Sequence, residues 1–529
     1  MHDAMRGDLR KEDSVSVYGI MMNNSVLEGQ CIAVEAITPP VGTPDKLLGF
    51  EGSTEGPREK RHENFERLFK IYGPVVRFGP NEIVFNTASA FQELYGFKSN
   101  SMKSDALAAA STDPDLTSTF TEPDRKRAQK KRQILSYGFS ENALRSSEAY
   151  IIDRINLMCN RLVDPATERV KDMSKWLNYL AYDIMGEIVF GRGFDMLVDE
   201  QLHYILPLID NMVFSFLLGG ALPWLHKSGL INLFFPTMGK KRQMFVKYCQ
   251  ERVLERVGRD ADSEKAERKD FFYWLLRARD PETGKPLSRK ALITEGTLLI
   301  LAGSDTTSTG LAAALFYILQ NPPVLKRLRE ELDDNFTTVD QIRTGASLSR
   351  CVYLKAIVEE SLRMAPPGPG IAPRTILKGG QIIDGVFVPE GYTIGVSKYA
   401  LGQNERYFPE PHVFKPERYL QGGEFSDEEV ERAKNSYWVF SLGPRKCPGL
   451  KMAYQELYLT IARLVYLFDI TPEKPEELKK NFQMLDHFNV KKFGPYVSFK
   501  LREGRQLPST TKTELGSADA SSKELGLVN

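Results

Sequence analysis

Hydrophobic positions along this chain recur mainly with the period of an α-helix. The helical period dominates between about residues 120 and 340, and its longest stretch covers residues 288–320 before an Asn-Pro-Pro sequence stops it. At ~1.5 Å per residue, a helix of this length would cross most of a domain. Glu295 and the polar run 304–309 occupy its middle, which favours a buried central helix over a membrane span.

Alternating patterns are fewer and lie apart from the helical stretch. VVRFG (75–79) and EIVF (82–85) flank a Gly-Pro-Asn turn and predict a β-hairpin. QIIDGVFVPEGYTIGVS (381–397) places an Asp-Gly turn between β-branched residues and predicts a small sheet, and YVSFKL (496–501) predicts one more strand. No internal repeat is visible. The fold class that follows is mainly α with small β-sheets, an α+β arrangement.

Composition and charge narrow the class of protein. Lys+Arg (70) and Asp+Glu (69) nearly cancel, so the net charge gives no reason to expect a nucleic-acid partner. The five cysteines are widely separated and form neither a C-x-x-C pair nor a zinc-like spacing, so no disulfide framework is predicted.

The two ends of the chain lack the periodicity of the middle. Residues 1–57 show neither an apolar run of the ~20 residues that a spanning helix needs nor the pattern of a signal peptide. We therefore predict a loosely ordered leader without a clear membrane anchor over 1–57, one domain over 58–503, and a disordered polar tail over 504–529.

One cysteine lies in an unusual loop, FSLGPRKCPG (440–449). A thiolate that ligates a metal needs a lowered pKa and hydrogen-bond donors, and backbone N–H groups in a glycine-rich turn can provide both. A helical pattern over 450–468 follows, so the positive end of that helix would lie near the sulfur. A lone cysteine in a Gly-Pro loop is nevertheless more often a buried structural residue. Histidine is the competing ligand, although none of the six histidines lies in a comparable loop.

The whole ten-residue pattern changes that balance, because F-x-x-G-x-R-x-C-x-G resembles the haem-thiolate signature of the cytochrome P450 monooxygenases. Its fixed positions here are Phe440, Gly443, Arg445, Cys447 and Gly449. The resemblance extends over about residues 58–503. It implies the cytochrome P450 fold, with a long central helix over haem b (iron protoporphyrin IX) and Cys447 as the iron ligand.

Three charged residues match a structural network of that family. Glu360 and Arg363 lie three positions apart on one face of a predicted helix, a spacing that by itself would indicate a weak surface salt bridge. In the family the matching pair locks with the arginine of a P-E-R segment, which here is Arg418. The resemblance therefore implies that Glu360, Arg363 and Arg418 form a buried charge network.

The central helix contains AGSDTT (302–307), which resembles the oxygen-activating element of the family. Without the resemblance, a polar kink in a core helix explains this sequence about as well. The resemblance implies that Gly303 leaves room where the helix passes the iron. It also implies that Asp305 and Thr306 supply protons for cleavage of the O–O bond of dioxygen.

Haem carries two propionates, and three arginines match the cations that bind them in the family. They are Arg374, Arg445 and Arg132, and the tryptophan that accompanies the last of these in the family is replaced by Ala128. The helix around Arg132 is strongly basic; its other cations are Arg125, Lys126, Arg127, Lys130 and Lys131. Such a run is usually a solvated face. The resemblance implies instead that these exposed cations, with Lys446, form a basic proximal face on which an NADPH-cytochrome P450 reductase docks.

The activity that the resemblance implies is a monooxygenase reaction. The enzyme takes O2 and two electrons, relayed from NADPH by the reductase, and inserts one oxygen atom into a C–H or C=C bond of a lipophilic small molecule. The chain is similar to filamentous-fungal members that act in secondary metabolism on terpenoids, polyketides or alkaloids. By resemblance the pocket draws on residues 98–122, 212–225, 298–304, 368–373 and the segment near His487.

Two other functions remain open. A haem-thiolate isomerase or dehydratase would work without a reductase, although the intact AGSDTT element argues against it. A non-catalytic haem sensor or carrier would need the Cys447 ligand but neither Asp305 nor Thr306.

A membrane contact is also expected. The uncharged segment NMVFSFLLGGALPWL (211–225) is too short for a span and is broken by glycine and proline, which predicts an interfacial or pocket-lining segment. We therefore expect peripheral association with the cytosolic face of the endoplasmic reticulum membrane, with a cytoplasmic location as the alternative.

Overall fold

The computed structural model describes residues 60–111, 116–221, 235–261 and 270–509, together with Ile32, Ala33, Ser228 and Leu233. Helices make up most of this part of the chain, as predicted. They are α1 (Arg61–Tyr72), α2 (Ala88–Tyr95), α3 (Arg125–Ser136), α4 (Glu141–Leu162), α5 (Met173–Phe190), α6 (Ile205–Ala221), α7 (Pro236–Ala261), α8 (Phe271–Arg277), α9 (Arg289–Gln320), α10 (Pro322–Asn335), α11 (Ala346–Arg350), α12 (Val352–Met364), α13 (Lys398–Gly402), α14 (Asp427–Ser436) and α15 (Leu450–Leu467).

The strands form small sheets beside the helices. They are β1 (Ile32–Ala33), β2 (Val75–Gly79), β3 (Glu82–Phe85), β4 (Ser101–Lys103), β5 (Lys171–Asp172), β6 (Arg374–Ile376), β7 (Gln381–Ile383), β8 (Val386–Val388), β9 (Thr393–Val396), β10 (Phe468–Pro472), β11 (Met484–His487), β12 (Asn489–Lys492) and β13 (Tyr496–Leu501). The largest sheet has the order β2-β3-β9-β6-β4, and the others are β10-β13-β5, β1-β8-β7 and the hairpin β11-β12. The predicted mainly α fold with small sheets is confirmed.

Helix α9 is the central helix that the hydrophobic pattern predicted. The Ser288 side chain caps its start by accepting a hydrogen bond from the Ala291 N–H at 3.2 Å. Its second half is almost continuously buried, and it packs against α5, α12 and α15. Burial of apolar side chains on every side holds this helix in place, since a helix that is hydrophobic all round can only be stable inside a core.

The predicted β-elements also form. Strands β2 and β3 pair antiparallel as the hairpin over 75–85, and β7 and β8 pair antiparallel across the Asp-Gly turn. Asp384 and Gly385 both adopt positive φ (+49° and +78°), as the tight two-residue hairpin turn requires. Strand β13 is the predicted strand over 496–501.

The predicted boundaries of the leader and tail fall largely on residues outside the described part of the chain. Within the predicted leader, Ile32 and Ala33 pair in parallel with Val386 and Phe387 of β8. The predicted tail starts at 504, yet the carbonyls of Pro508 and Ser509 accept hydrogen bonds from α4, at 3.1 Å and 3.4 Å respectively. These side-chain contacts fix the chain as far as Ser509; residues 510–529 lie outside the description.

Two helical segments of the described chain are long and apolar enough to cross a membrane by length and composition alone. They are Glu200–Gly220 and Arg289–Gln320. The second is mainly buried inside the fold, as expected for a core helix. The first is longer than the sequence pattern predicted, because a 3₁₀ turn at Glu200–Tyr204 leads directly into α6. Residues 222–225, the end of the predicted interfacial segment, lie outside the described residues.

Candidate active site

The cysteine loop lies between α14 and α15 and is held by its own backbone. The Cys447 N–H donates to the Phe440 carbonyl at 2.9 Å, and the Phe440 ring packs against Tyr454 at 5.0 Å between centroids. Gly443 has φ +61°, and a methyl group at this position would collide with the Tyr95 carbonyl oxygen. Glycine is therefore required here both for its backbone angle and for the close approach to α2.

The sulfur of Cys447 accepts a hydrogen bond from the Gly449 N–H at the start of α15, as the sequence predicted. Burial raises the pKa of this thiol, against the lowering effects of that hydrogen bond and of Lys398, Arg132 and Lys446. The hydrogen bond from the loop lowers the pKa of the thiol, as expected, but desolvation outweighs this effect and that of the nearby cations, so the net pKa rises. Cys447 is accessible to solvent although protein atoms surround it, which fits a side chain that borders an internal space. A coordinated metal ion would deprotonate it.

The three predicted propionate-binding arginines meet beside this loop. Arg132 of α3 donates to the Lys446 carbonyl at 2.6 Å, and Arg445 donates to the carbonyls of Pro123 and Asp124 at 3.0 Å and 3.2 Å. Arg374 of β6 is buried, with its guanidinium 5.4 Å from the Tyr95 ring. Burial lowers the pKa of all three arginines, and the mutual repulsion of the cluster helps to lower that of Arg445 to about 10.

These arginines line a cavity of about 410 Å³. Two further cations reach it that sequence reasoning did not assign to the site. Lys103 of β4 is buried, and burial together with the neighbouring Arg374, Arg445 and Arg132 moves its pKa well below the usual value. Arg125 turns inward and donates to the Ser99 carbonyl. A single lysine in a short strand gives no sequence signal of burial, so Lys103 could not have been found from pattern alone.

The donor set of this region fits a haem group. No acidic residue is found among the described residues that line the cavity, and the buried Arg445 Nη1 has no hydrogen-bond partner. A cluster of cations with a spare donor calls for anionic ligands such as two carboxylates. The described residues contain no group of three or more His, Cys, Asp or Glu placed to hold a metal ion. A metal bound through Cys447 would thus bring most of its ligands with it, as porphyrin iron does.

The middle of α9 has an accessible face within an otherwise buried stretch. From Leu299 to Thr309 every residue is buried except Ala302, Gly303, Asp305 and Thr306, and of these Ala302 is the one in the exposed class. The Thr306 hydroxyl donates to the Ala302 carbonyl at 2.7 Å, the local back-bonding that the sequence predicted. Gly303 faces α5, since a Cβ at this position would lie 2.6 Å from the Met185 side chain. Tight packing of α5 against α9 explains this glycine, rather than room for iron.

Asp305 has a partner that the motif did not reveal. Its carboxylate lies 3.6 Å from Nζ of Lys492, a buried lysine at the end of β12.

A second lysine that the sequence did not predict, Lys398, lies at the start of α13. It donates a hydrogen bond to the Val439 carbonyl at 3.1 Å, next to the cysteine loop, and so helps to hold that loop in place. Burial lowers the pKa of Lys398, and the charge of Cys447 opposes that shift.

The charged residues of the predicted network come together in the core. Arg363 donates to both carboxylate oxygens of Glu360 at 2.7 Å and 2.8 Å, and Arg418 donates to Glu360 at 3.2 Å. All three side chains are almost fully buried. Burial lowers the pKa of both arginines, but the bidentate contact with Glu360 more than offsets it for Arg363, whose pKa rises, whereas that of Arg418 falls. Glu360 also accepts the Lys415 N–H at 2.9 Å, which fixes the P-E-R segment against α12.

The basic helix α3 exposes fewer free cations than the sequence suggested. Lys130 is only 24% exposed and pairs with Asp280 and Glu282, while Lys131 is 23% exposed and lies 4.0 Å from the buried Glu295. Arg125 points toward the cavity. The prediction of exposed cations holds for Arg125, Lys126 and Arg127 but is wrong for Lys130 and Lys131, because these two lysines fasten α3 to acidic residues of neighbouring segments.

Three aromatic side chains from distant segments meet in a small cluster. Phe488, at the turn between β11 and β12, contacts Phe120 at 5.9 Å and Phe216 of α6 at 6.1 Å, both edge to face. These residues come from three of the segments predicted to line the pocket. An apolar enclosure of this kind suits a lipophilic ligand.

An exposed cysteine at a helix N-terminus lies beside a cluster of cations, and no carboxylate is found among the described residues that line the cavity; this arrangement fits a haem-thiolate protein. A family model described as Cytochrome P450 matches residues 39–494. Among its relatives are cytochrome P450 monooxygenase AKT7 of Alternaria alternata (33% identical, covering 83% of this chain and 88% of that protein) and apf7 of Gibberella fujikuroi (33%, 82% and 86%). A third is atnE of Emericella nidulans (33%, 86% and 90%).

The chain belongs to the cytochrome P450 family. The resemblance stated from the motifs is thereby confirmed, and with it the monooxygenase class. The enzyme uses haem b, O2, a lipophilic substrate and electrons from a redox partner, typically NADPH through a reductase.

Proposed function

We propose that Cys447 supplies the axial thiolate of the haem and that Arg132, Arg374 and Arg445 bind its propionates. The supporting observation is the cluster of cations beside the cysteine loop. Within it, the Nη1 atom of Arg445 has no hydrogen-bond partner in the protein. Lys103 adds a further positive charge to the same cavity. When bound, the haem supplies the chemistry of O2 activation, and a thiolate ligand favours O–O cleavage.

The overall reaction is RH + O2 + NADPH + H⁺ → ROH + H2O + NADP⁺, so protons must reach the oxygen that leaves as water. We assign their delivery to Asp305 and Thr306, which lie on the open face of α9. The hydrogen bond to the Ala302 carbonyl holds the Thr306 hydroxyl on this face of α9. Asp305 can exchange protons with the protein interior, where the buried Lys492 lies beside it. Gly303 allows α9 to pack closely against α5.

The substrate we propose is a lipophilic intermediate of fungal secondary metabolism, such as a terpenoid, polyketide or alkaloid. The aromatic enclosure of Phe120, Phe216 and Phe488 supports its apolar character. The fungal monooxygenases to which this chain is similar support the setting.

The decisive experiment replaces Thr306 with alanine and, separately, Asp305 with asparagine in the haem-loaded enzyme. We expect NADPH consumption to continue while product per NADPH falls about tenfold or more and hydrogen peroxide accumulates, because positioned proton donors contribute about 10²-fold or more to such steps. Thr309→Ala is the matched control, since Thr309 is buried and makes the same type of bond one turn further along, to the Asp305 carbonyl at 2.8 Å.

The same assay separates the alternative functions. Conversion of substrate without NADPH would support a haem-thiolate isomerase or dehydratase. Haem binding without any conversion across a broad panel of lipophiles would support a sensor or carrier. Unchanged coupling in both variants would contradict the proton-delivery role.

We also propose that the reductase docks on the face that carries the cysteine loop. The cations available there are Lys126 and Arg127 of α3, Lys446 beside the ligand, and Lys451 of α15. Lys451 already pairs with Glu141 at 2.9 Å, and Arg127 with Glu122 at 3.2 Å. Lys126 and Lys446 are therefore the cations with the most freedom to meet an acidic partner.

Charge reversal at Lys446 tests this docking face. Lys446→Glu is expected to lower the reductase-supported rate about tenfold at low ionic strength and less at high salt, because screening weakens charge steering. Chemical reduction and CO binding should not change. Lys326→Glu on α10 serves as the control, since Lys326 is 79% exposed and lies on another element. An equal loss in both variants would contradict the assignment.

For localisation we propose peripheral association with the cytosolic face of the endoplasmic reticulum membrane. Exposed apolar side chains just before α7 support it: Leu233 is 72% exposed and Phe235 is 42% exposed. Such side chains can insert into the headgroup region without spanning the bilayer.

A further inference from the structure

Lys492 is a buried lysine beside α9, far in sequence from the AGSDTT element. Its Nζ donates to Asn178 Oδ1 of α5 at 2.8 Å and to the Ser308 hydroxyl at 2.9 Å, and it lies 3.6 Å from the Asp305 carboxylate. The side chain of Lys492 is 3% exposed and that of Asp305 13%. A buried ammonium must be compensated, and here two neutral acceptors and one carboxylate provide the compensation.

We propose that Lys492 is a positioning residue that holds the Asp305 carboxylate in place for proton delivery. This inference rests on the proposed role of Asp305. The element that carries Lys492 is the β11–β12 hairpin, so the supply of protons is tied to a part of the chain that also encloses the substrate.

The distances around Lys492 favour a lysine that orients the Asp305 carboxylate over one that locks it in a tight ion pair. Asn178 Oδ1 accepts hydrogen bonds from both Lys492 and the Ser308 hydroxyl, the latter at 2.6 Å, and these contacts fix the ammonium group. The distance of 3.6 Å to Asp305 is longer than a hydrogen bond, so the carboxylate is attracted without being locked. Asp305 therefore keeps an oxygen free to exchange a proton.

Other charges near this pair are consistent with the arrangement. Burial lowers the pKa of Lys492, against the raising effects of Asp305, Asp210 of α6 and Asp172. Burial and the nearby Asp305 raise the pKa of Asp210. Lys491, Lys492 and His487 all lower the pKa of Asp210, but of these three only Lys492 also lies beside Asp305. Loss of Lys492 would therefore leave Asp305 facing Asp210, a neighbour of like charge, without the cation between them.

The same hairpin reaches the substrate enclosure. Phe488 at its turn contacts Phe120 and Phe216, and Lys492 lies four residues further along β12. At about 3.3 Å per extended residue, four residues span at most about 13 Å, so Phe488 and Lys492 belong to one short segment. A substrate that presses on Phe488 would therefore act on the element that orients Asp305.

The test compares Lys492→Met, Lys492→Arg and Lys491→Met in the haem-loaded enzyme. Methionine keeps the length of the side chain and removes its charge, arginine restores the charge, and Lys491 is the exposed neighbour on the opposite face of β12. We expect Lys492→Met to lower product per NADPH about tenfold with release of hydrogen peroxide, since misplacing a reacting group by about 1 Å can cost about 100-fold. Lys492→Arg should recover most of the coupling, and Lys491→Met should behave as wild type.

Amide hydrogen exchange of residues 484–492 and thermal unfolding, measured on the same proteins, report whether the hairpin remains folded. Faster exchange of the hairpin in Lys492→Met, together with normal coupling in the fraction that binds haem, would show a merely structural lysine and overturn the proposal. Equal coupling in Lys492→Met and Lys492→Arg would overturn it as well.

Asp305→Asn separates this inference from the role on which it rests. If Asp305→Asn uncouples the enzyme and Lys492→Met does not, the positioning role of Lys492 fails while that of Asp305 stands. If neither uncouples the enzyme, both fail. A double variant that is no worse than Asp305→Asn alone would support a shared pathway.

Discussion

Replacing Cys447 with serine is expected to abolish monooxygenase turnover, with a fall of at least about 10³-fold, because the residue that we propose as the electron-donating ligand is lost. The red-shifted absorption band of the reduced CO complex, which reports thiolate ligation, should disappear. Both quantities are measured on purified protein, alongside the ratio of haem to protein and the far-ultraviolet circular dichroism, which shows whether the fold survives.

Cys351→Ser is the matched control for this experiment. Cys351 is fully buried between α11 and α12, outside the site, so the same chemical change there should leave the CO band in place. A Cys447→Ser protein that keeps the red-shifted band and its turnover would show that another residue ligates the iron. A Cys447→Ser protein that lacks haem but retains native circular dichroism would agree with the assignment.

Removing the charge of Glu360 is expected to destabilise the protein by about 3–5 kcal/mol, the usual cost of leaving buried partners uncompensated. Two buried guanidinium groups, Arg363 and Arg418, share this carboxylate, and Arg418 Nη1 already lacks a partner. Denaturant unfolding of Glu360→Gln at neutral pH measures the loss, and haem retention measures its consequence for the site.

Glu330→Gln provides the comparison. Glu330 is 62% exposed and pairs with Lys326 at 3.9 Å on the surface of α10, so its loss should cost little. If Glu360→Gln were no more destabilising than Glu330→Gln, the network around Glu360 would not be a determinant of stability. A large loss of haem with unchanged unfolding would instead place its role at the cofactor.

The sequence predicted those parts of the site that lie within short, continuous segments. The loop around Cys447 is a ten-residue pattern whose turn geometry is encoded locally by Gly443, so its position in the fold followed from the motif. The central helix was predictable because burial imposes a continuous apolar pattern, and the Ala302 to Thr306 hydrogen bond spans a single helical turn.

Contacts between distant segments were not predictable in the same way. Lys103, Lys398 and Lys492 are single lysines in short elements, and lysine in such a setting is normally exposed. Only the tertiary arrangement buries them and gives each a carbonyl or a carboxylate. The same limit explains why Lys130 and Lys131 were taken for free surface charges, since their acidic partners lie on a loop and a helix more than 140 positions later.

The cluster of buried positive charge beside the cysteine loop affects the last steps of folding. Lys103, Arg374 and Arg445 repel one another in a space that contains no compensating anion from the described lining residues, and this repulsion opposes closure of the surrounding segments. A dianionic prosthetic group removes that opposition, so its capture and the final consolidation of the fold are thermodynamically linked. We therefore expect the amount of folded enzyme to rise with the supply of the prosthetic group.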